Sequence, residues 1–357
     1  MTNSKKTSKP ISRRGFIKGA VAAGAVSAML TKGSKASAED APKPTAPIAG
    51  AAKALVLGSG DHTYELVKGW GTPPDNIHYG NTHGVQVDSQ GRVIIHNASA
   101  NSICIYDGDG KFIKSWGKEY AGGAHGLQLN KEGDTEYLYL ALTGQHICVK
   151  TTLEGEVVWK LEFPKEWVVY NQKFVPTNTA IADNGDVYIA DGYGSNYIHQ
   201  YSKDMKWIRT FGGPGNGPGQ LNCPHGIFID RRSGTEKLLV ADRANVRLQY
   251  FTMDGKPVSM VTEELRHPCH FDTFKGDLLV PDLKGRVTIF DKDNKLVTHL
   301  GDNPDKSQWA GNGTPKEKWV DGNFIAPHGA CYDKDGNIYV VEWVVPGRVT
   351  KLKKVSA

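Results

Sequence analysis

From residue 64 onward the chain is built of short runs in which apolar and polar residues alternate, separated by turn residues, and the same order of runs returns six times. Period-two alternation of this length predicts strands rather than helices. Six segments open alike: Thr82-His83-Gly84-Val85, Ala124-His125-Gly126-Leu127, Thr177-Asn178-Thr179-Ala180, Pro224-His225-Gly226-Ile227, Cys269-His270-Phe271-Asp272 and Pro327-His328-Gly329-Ala330. Their second positions are spaced 42, 53, 47, 45 and 58 residues apart. Each opening leads to a turn such as Ser89-Gln90-Gly91 or Asp183-Asn184-Gly185. A more apolar run follows, such as Val187-Tyr188-Ile189-Ala190, then a third like Ile103-Cys104-Ile105-Tyr106. Several repeats end in a fourth run closed by an aromatic residue and glycine, as in Phe112 to Gly117. Four short antiparallel strands per repeat make one propeller blade, so the expectation is an all-β, six-bladed β-propeller.

The last repeat stops at Arg348-Val349-Thr350-Lys351-Leu352 without a fourth strand, and Tyr64 to Gly71 carries the missing pattern. The N-terminal strand is therefore expected to complete the last blade and close the ring, which removes a sheet edge. The repeat resembles NHL repeats. Blades 2, 3, 4 and 6 resemble more specifically the propeller of the peptidyl-α-hydroxyglycine α-amidating lyases (peptidylamidoglycolate lyases). The likeness covers most of 64–355 and is weakest in blade 5 and in the insertion 301–326, which holds Trp309 and Trp319.

Composition changes the picture mainly at the N-terminus. Ser12-Arg13-Arg14-Gly15-Phe16-Ile17-Lys18, a small-residue apolar stretch to Leu30 and Ala36-Ser37-Ala38 read as a twin-arginine signal peptide over 1–38. Residues 39–63 read as a linker or cap, and 64–357 as the propeller. The expected location is periplasmic or secreted. The formal charge of the chain is +5, but 8 of its 43 basic residues and none of its 38 acidic ones lie in the signal. The remainder is near −3, with no basic cluster for nucleic acid. No later segment is apolar enough to span a bilayer. The chain is read as a monomer acting on a small-molecule or peptide-derived substrate. Five cysteines stand singly with no C-x-x-C spacing, which argues against a zinc–thiolate site.

In a propeller the first strand of each blade lies nearest the axis, so the six equivalent positions face one channel. Histidine, only 12 residues in the whole chain, occupies five of the six. His125, His225 and His328 belong to alternate blades and so converge from three directions. That is the arrangement of a catalytic zinc or other divalent metal site with an open position. A lone histidine in a Pro-His-Gly turn is ordinarily a polar residue near solvent; recurrence at equivalent positions is what points to metal. His83, Asn178 and His270 complete the axial ring. They are open to three roles: groups behind the ligands, substrate contacts, or part of another site.

Antiparallel connection returns the chain after each second strand to the face where the axial residues stand. Asp191-Gly192-Tyr193-Gly194 and Asp242-Arg243-Ala244-Asn245 occupy such loops. Asp191, Asp242 and Asp282 recur there and read first as turn caps. The family resemblance makes His125, His225 and His328 zinc ligands, Tyr193 the catalytic tyrosine and Arg243 an active-site arginine. It implies C–N cleavage of a carbinolamide, releasing glyoxylate and an amide. Two departures qualify the transfer. His96-Asn97 stands where the family has a second arginine. Gly329 stands where the family has an acidic residue that helps hold a structural calcium, which puts calcium in doubt. A non-catalytic NHL propeller that binds a ligand or protein is the alternative reading. A metal or redox carrier using Cys223 and Cys269 is a third.

Overall fold

The computed structural model describes residues 54–162 and 173–355. The twin-arginine segment 1–38, and the part of 39–63 before residue 54, lie outside the described residues. The remainder forms six antiparallel sheets, five of four strands and one of five, each a blade of the expected propeller. The innermost strands are Thr82–Val87, Ala124–Glu132, Asn178–Ile181, Pro224–Asp230, Asp272–Phe274 and Pro327–Tyr332.

The strands next to them are apolar along their whole length because both of their faces are buried between blades. Val93 and Ile95 pack toward blade 6, whereas Ile94 packs toward blade 2. Leu238 and Val240 join the core shared with blade 3; Leu239 and Ala241 join the core shared with blade 5. Period-two geometry thus feeds two cores from one strand. Each Leu, Ile or Val so buried contributes about 1.5–3 kcal/mol. Six such layers, one per blade interface, run around the ring.

The ring closes as the pattern predicts. His62–Val67 pairs with Arg348–Lys354, with Tyr64 opposite Lys354 and Leu66 opposite Leu352. One correction concerns the stretch read as linker or cap. Val56–Ser59 pairs with His62–Val67 as a fifth, outer strand of the last blade.

The turn-cap reading of the recurrent acids holds in atomic detail. Asp191 accepts from the Val175 and Ser195 amides at 2.7 and 2.9 Å. Asp242 accepts from the Asn222 amide at 2.7 Å, and Asp282 from the Arg266 and His267 amides at 3.0 and 2.7 Å. Glu342 does the same for Ile325 and Ala326 in blade 6. Each carboxylate pins the chain entering its own first strand, immediately before the axial residue. The insertion 301–326 is packed rather than loose. Trp309 lies under Arg266 at 3.9 Å and donates to the Asn303 carbonyl. Ile325 and Ala326 share a core with Leu283 and Val344.

Candidate metal centre

Four of the axial histidines sit in a break of the ladder. Pairing of the first and second strands shifts register between Thr82 and Gly84, Ala124 and Leu127, Pro224 and Ile227, and Pro327 and Gly329. A bulge re-aims the side chain it carries, and here that side chain is His83, His125, His225 or His328. Asn178 stays in ladder register, and His270 precedes the short first strand of blade 5.

The glycine after the histidine has a physical reason. A Cβ on Gly126 would lie 2.6 Å from Thr177 O, one on Gly226 2.5 Å from Cys269 O, and one on Gly329 2.6 Å from His83 O. These are the carbonyls that accept the Nδ1–H of His125 at 2.6 Å, His225 at 2.9 Å and His328 at 2.9 Å. The missing side chain lets the next blade's backbone approach closely enough to hold the ring. With Nδ1 donating, Nε2 carries the lone pair, which is the form that binds metal.

The rings of His125, His225 and His328 form a nearly equilateral triangle, with centroids 4.5, 4.7 and 4.8 Å apart. Among the described residues, donor atoms of His83, His125 and His328 lie within 4.8 Å of one another, and so do those of His225, Cys269 and His328. The expected trio is therefore spread over two overlapping donor sets that share His328. Burial pushes all these imidazoles down, and the charge of neighbouring groups adds to it; His328 falls to about 3. Neutral imidazoles are the ligand state. The axial residues enclose a void of about 10 Å³, room for one water-sized particle or ion. The donor chemistry, the fixed tautomers and the void together fit a divalent metal.

Above the void opens a cup of about 450 Å³. The Tyr193 hydroxyl stands 3.1 Å from Nε2 of both His125 and His225. Burial raises its pKa to about 12 against the opposing pull of Arg243. Arg243 Nη2 donates to that hydroxyl at 3.1 Å and to Cys223 Sγ at 3.4 Å. The residues expected from sequence at the site are thus brought together: His83, His125, His328, Tyr193 and Arg243 all line the cup. Asn178, His225 and His270 line only the void, where Asn178 Nδ2 donates to His270 Nδ1 at 2.8 Å.

Some of the wall was missed. Ala98, Thr143, Leu283 and Trp343 line the cup with Tyr193 and Arg243, and all six stand just after the second strand of their blades. The loop rule that singled out Tyr193 and Arg243 would have found them had it been applied to every blade. Cys269, given a role from sequence only in the metal or redox carrier reading, shares a donor set with His225 and His328. His96 is fully buried and does not line the cup, and Asn97 is a turn cap to the Gly80 and Ser99 amides. No cation replaces the family's second arginine at that position.

Fold and site define a six-bladed β-propeller with NHL-type repeats and a histidine-lined axis. No family model matches this chain. It is 30% identical over 203 residues to NHL repeat-containing protein 3 of Homo sapiens, covering 54% of this chain and 57% of that protein. It is 27% identical over 212 residues to peptidyl-alpha-hydroxyglycine alpha-amidating lyase 2 of Drosophila melanogaster, covering 51% of this chain and 50% of the relative. The chain thus spans about half the length of these curated relatives. Among solved structures, a streptogramin B lyase superposes with a TM-score of 0.55 at 14% identity, over 78% of this chain and 94% of that one, which speaks for the fold alone.

Proposed function

We propose that this chain is an exported, metal-dependent lyase that cleaves the C–N bond of a small carbinolamide-type substrate. The observation that carries the reading is the Tyr193 hydroxyl, held 3.1 Å from two carbonyl-anchored imidazoles with Arg243 behind it. The similarity to amidating lyases supports it. Zinc or another divalent ion held by His125, His225 and His328 would supply Lewis acidity to a substrate hydroxyl. The reaction balances without water: the hydroxyl O–H and the C–N bond break, a C=O bond forms, and the nitrogen gains one proton. Tyr193, neutral at ordinary pH, is suited to hand its proton to the leaving nitrogen and to be reprotonated by the hydroxyl. Arg243 offers a carboxylate a charged partner in a cup that the apolar Leu283 and Trp343 also line.

The decisive measurement is the metal content of protein purified after native export, beside the His125/His225/His328 triple alanine variant. About one ion per chain, lost in the variant, supports the reading. Glyoxylate release from an N-acyl-α-hydroxyglycine then tests the reaction. No metal in either protein, and no uptake on addition, overturns it. The second reading, a propeller that binds a ligand or protein without chemistry, draws on the likeness to the human relative, whose name carries no activity. Export rests on Arg13 and Arg14, and lysine at both should hold the protein in the cytoplasmic fraction. The monomer reading is checked by light scattering.

A further inference from the structure

Five of the six ring pairs among His83, His125, His225 and His328 are in contact. Beside the triangle, His83 lies 4.6 Å from His328 and 5.3 Å from His125, centroid to centroid. Only the pair His83–His225, across the channel, is not. His83 therefore meets as many of the other rings as His225 does, yet it is held differently. Its Nδ1 is buried without a hydrogen-bond partner, whereas the Nδ1 of each other ring is spent on a carbonyl. Its own following glycine faces Leu127 Cβ at 2.5 Å rather than a carbonyl, so the anchoring device of the other blades is missing in blade 1. What is attached to the neighbouring blade is the backbone: His83 O accepts from His328 Nδ1. A buried imidazole nitrogen with no protein partner, beside other donors, has the surroundings of a ligand.

The geometry points to His83 as a fourth imidazole ligand of the ion held by His125, His225 and His328. The inference rests on the metal-centre reading above and specifies its coordination. Ligands at a metal–nitrogen distance of about 2.0–2.1 Å stand roughly 3.4 Å apart in a tetrahedron. The donor atoms of His83, His125 and His328 already lie within 4.8 Å of one another, and His328 links that set to His225. His270 also has a buried nitrogen without a partner, Nε2, but that is the nitrogen left carrying the proton. Its Nδ1 accepts from Asn178, so no lone pair is left for a metal. Four nitrogen donors also change which ions suit the site. With four imidazoles the ion takes the substrate hydroxyl only by becoming five-coordinate, and such a donor set also suits copper, nickel and iron.

The test counts ligands rather than turnover. Full-length protein is loaded with one equivalent of zinc, and in a parallel sample with copper(II). Imidazole number is read from zinc X-ray absorption and from nitrogen couplings in the copper spectrum. The expected result is four imidazoles in the wild type and three in His83→Ala and in His83→Asn, which keeps a polar side chain of similar reach. Both variants should bind zinc about 10- to 100-fold more weakly. Three imidazoles in the wild type, unchanged in either variant, overturn the assignment of His83 while leaving the metal centre standing. No uptake of either ion overturns the metal centre itself. The wild-type count decides the matter even if one variant fails to fold.

Discussion

The carbonyl oxygen of Thr177 serves Gly126 and His125 at once: it accepts the His125 Nδ1–H at 2.6 Å and lies 2.6 Å from where a Gly126 Cβ would be. Gly126→Ala should therefore push blade 3 away and release the ring. The expected outcome is a zinc affinity about 10- to 100-fold lower with the strand content of the wild type, read by competition with a chromophoric chelator. Gly84→Ala is the contrast. Its Cβ would meet a side chain, Leu127 Cβ at 2.5 Å, so it should cost thermal stability and leave His125, His225 and His328 oriented.

Six histidines, His83, His96, His125, His225, His270 and His328, are buried and held neutral by burial, with His96 and His328 near 3 and His270 near 4. Below about pH 6.5 the unfolded chain takes up protons that the folded chain refuses. Each such histidine then removes about 1.4 kcal/mol of stability per pH unit, down to its own folded pKa. Metal-free protein should lose its fold steeply between pH 6.5 and 5. A circular dichroism titration checks this, and stability unchanged from pH 7 to 4.5 would contradict it. Bound metal stabilises only the neutral, folded arrangement and should move the transition to lower pH.

Tyr193→Phe removes one hydroxyl from a ring that is 37% exposed. The fold and the metal content should be unchanged. Turnover of an N-acyl-α-hydroxyglycine should fall by about 10²- to 10⁴-fold, the usual contribution of a placed proton donor. A variant that keeps its turnover would remove Tyr193 from the chemistry.

Asp191→Ala should act on stability. It leaves the Val175 and Ser195 amides unpaired in a buried turn, at about 1–3 kcal/mol for each lost partner. Urea unfolding should show the loss.

Much of this architecture was legible in the sequence because the repeat fixes one residue per blade at the axis. The six openings, the closing strand and the acids at the strand ends follow from period and turn chemistry alone. What was not legible depends on contacts between blades. The orientation of the His125 ring is decided by a carbonyl in the next repeat, and no pattern within Ala124-His125-Gly126 reveals it. Val56–Ser59 pairs as an outer strand, yet its Val-Leu-Gly-Ser composition lacks the alternation that marks the other strands. Leu283 and Trp343 read as ordinary apolar residues until the ring sets them around one cup with Arg243 and Tyr193.

Ala98, Thr143, Arg243, Leu283 and Trp343 directly follow the second strand of their blades, Tyr193 stands two places further along in blade 3, and together the six residues line a single chamber. None of them belongs to the paired strands that make the ring. A change at any one of these places alters a single compass bearing of the chamber and leaves the others as they were. The scaffold is thus a six-letter register in which the ligand preference is spelled one blade at a time. The present spelling, polar on blades 3 and 4 and greasy on blades 5 and 6, orients a lopsided guest before any chemistry begins.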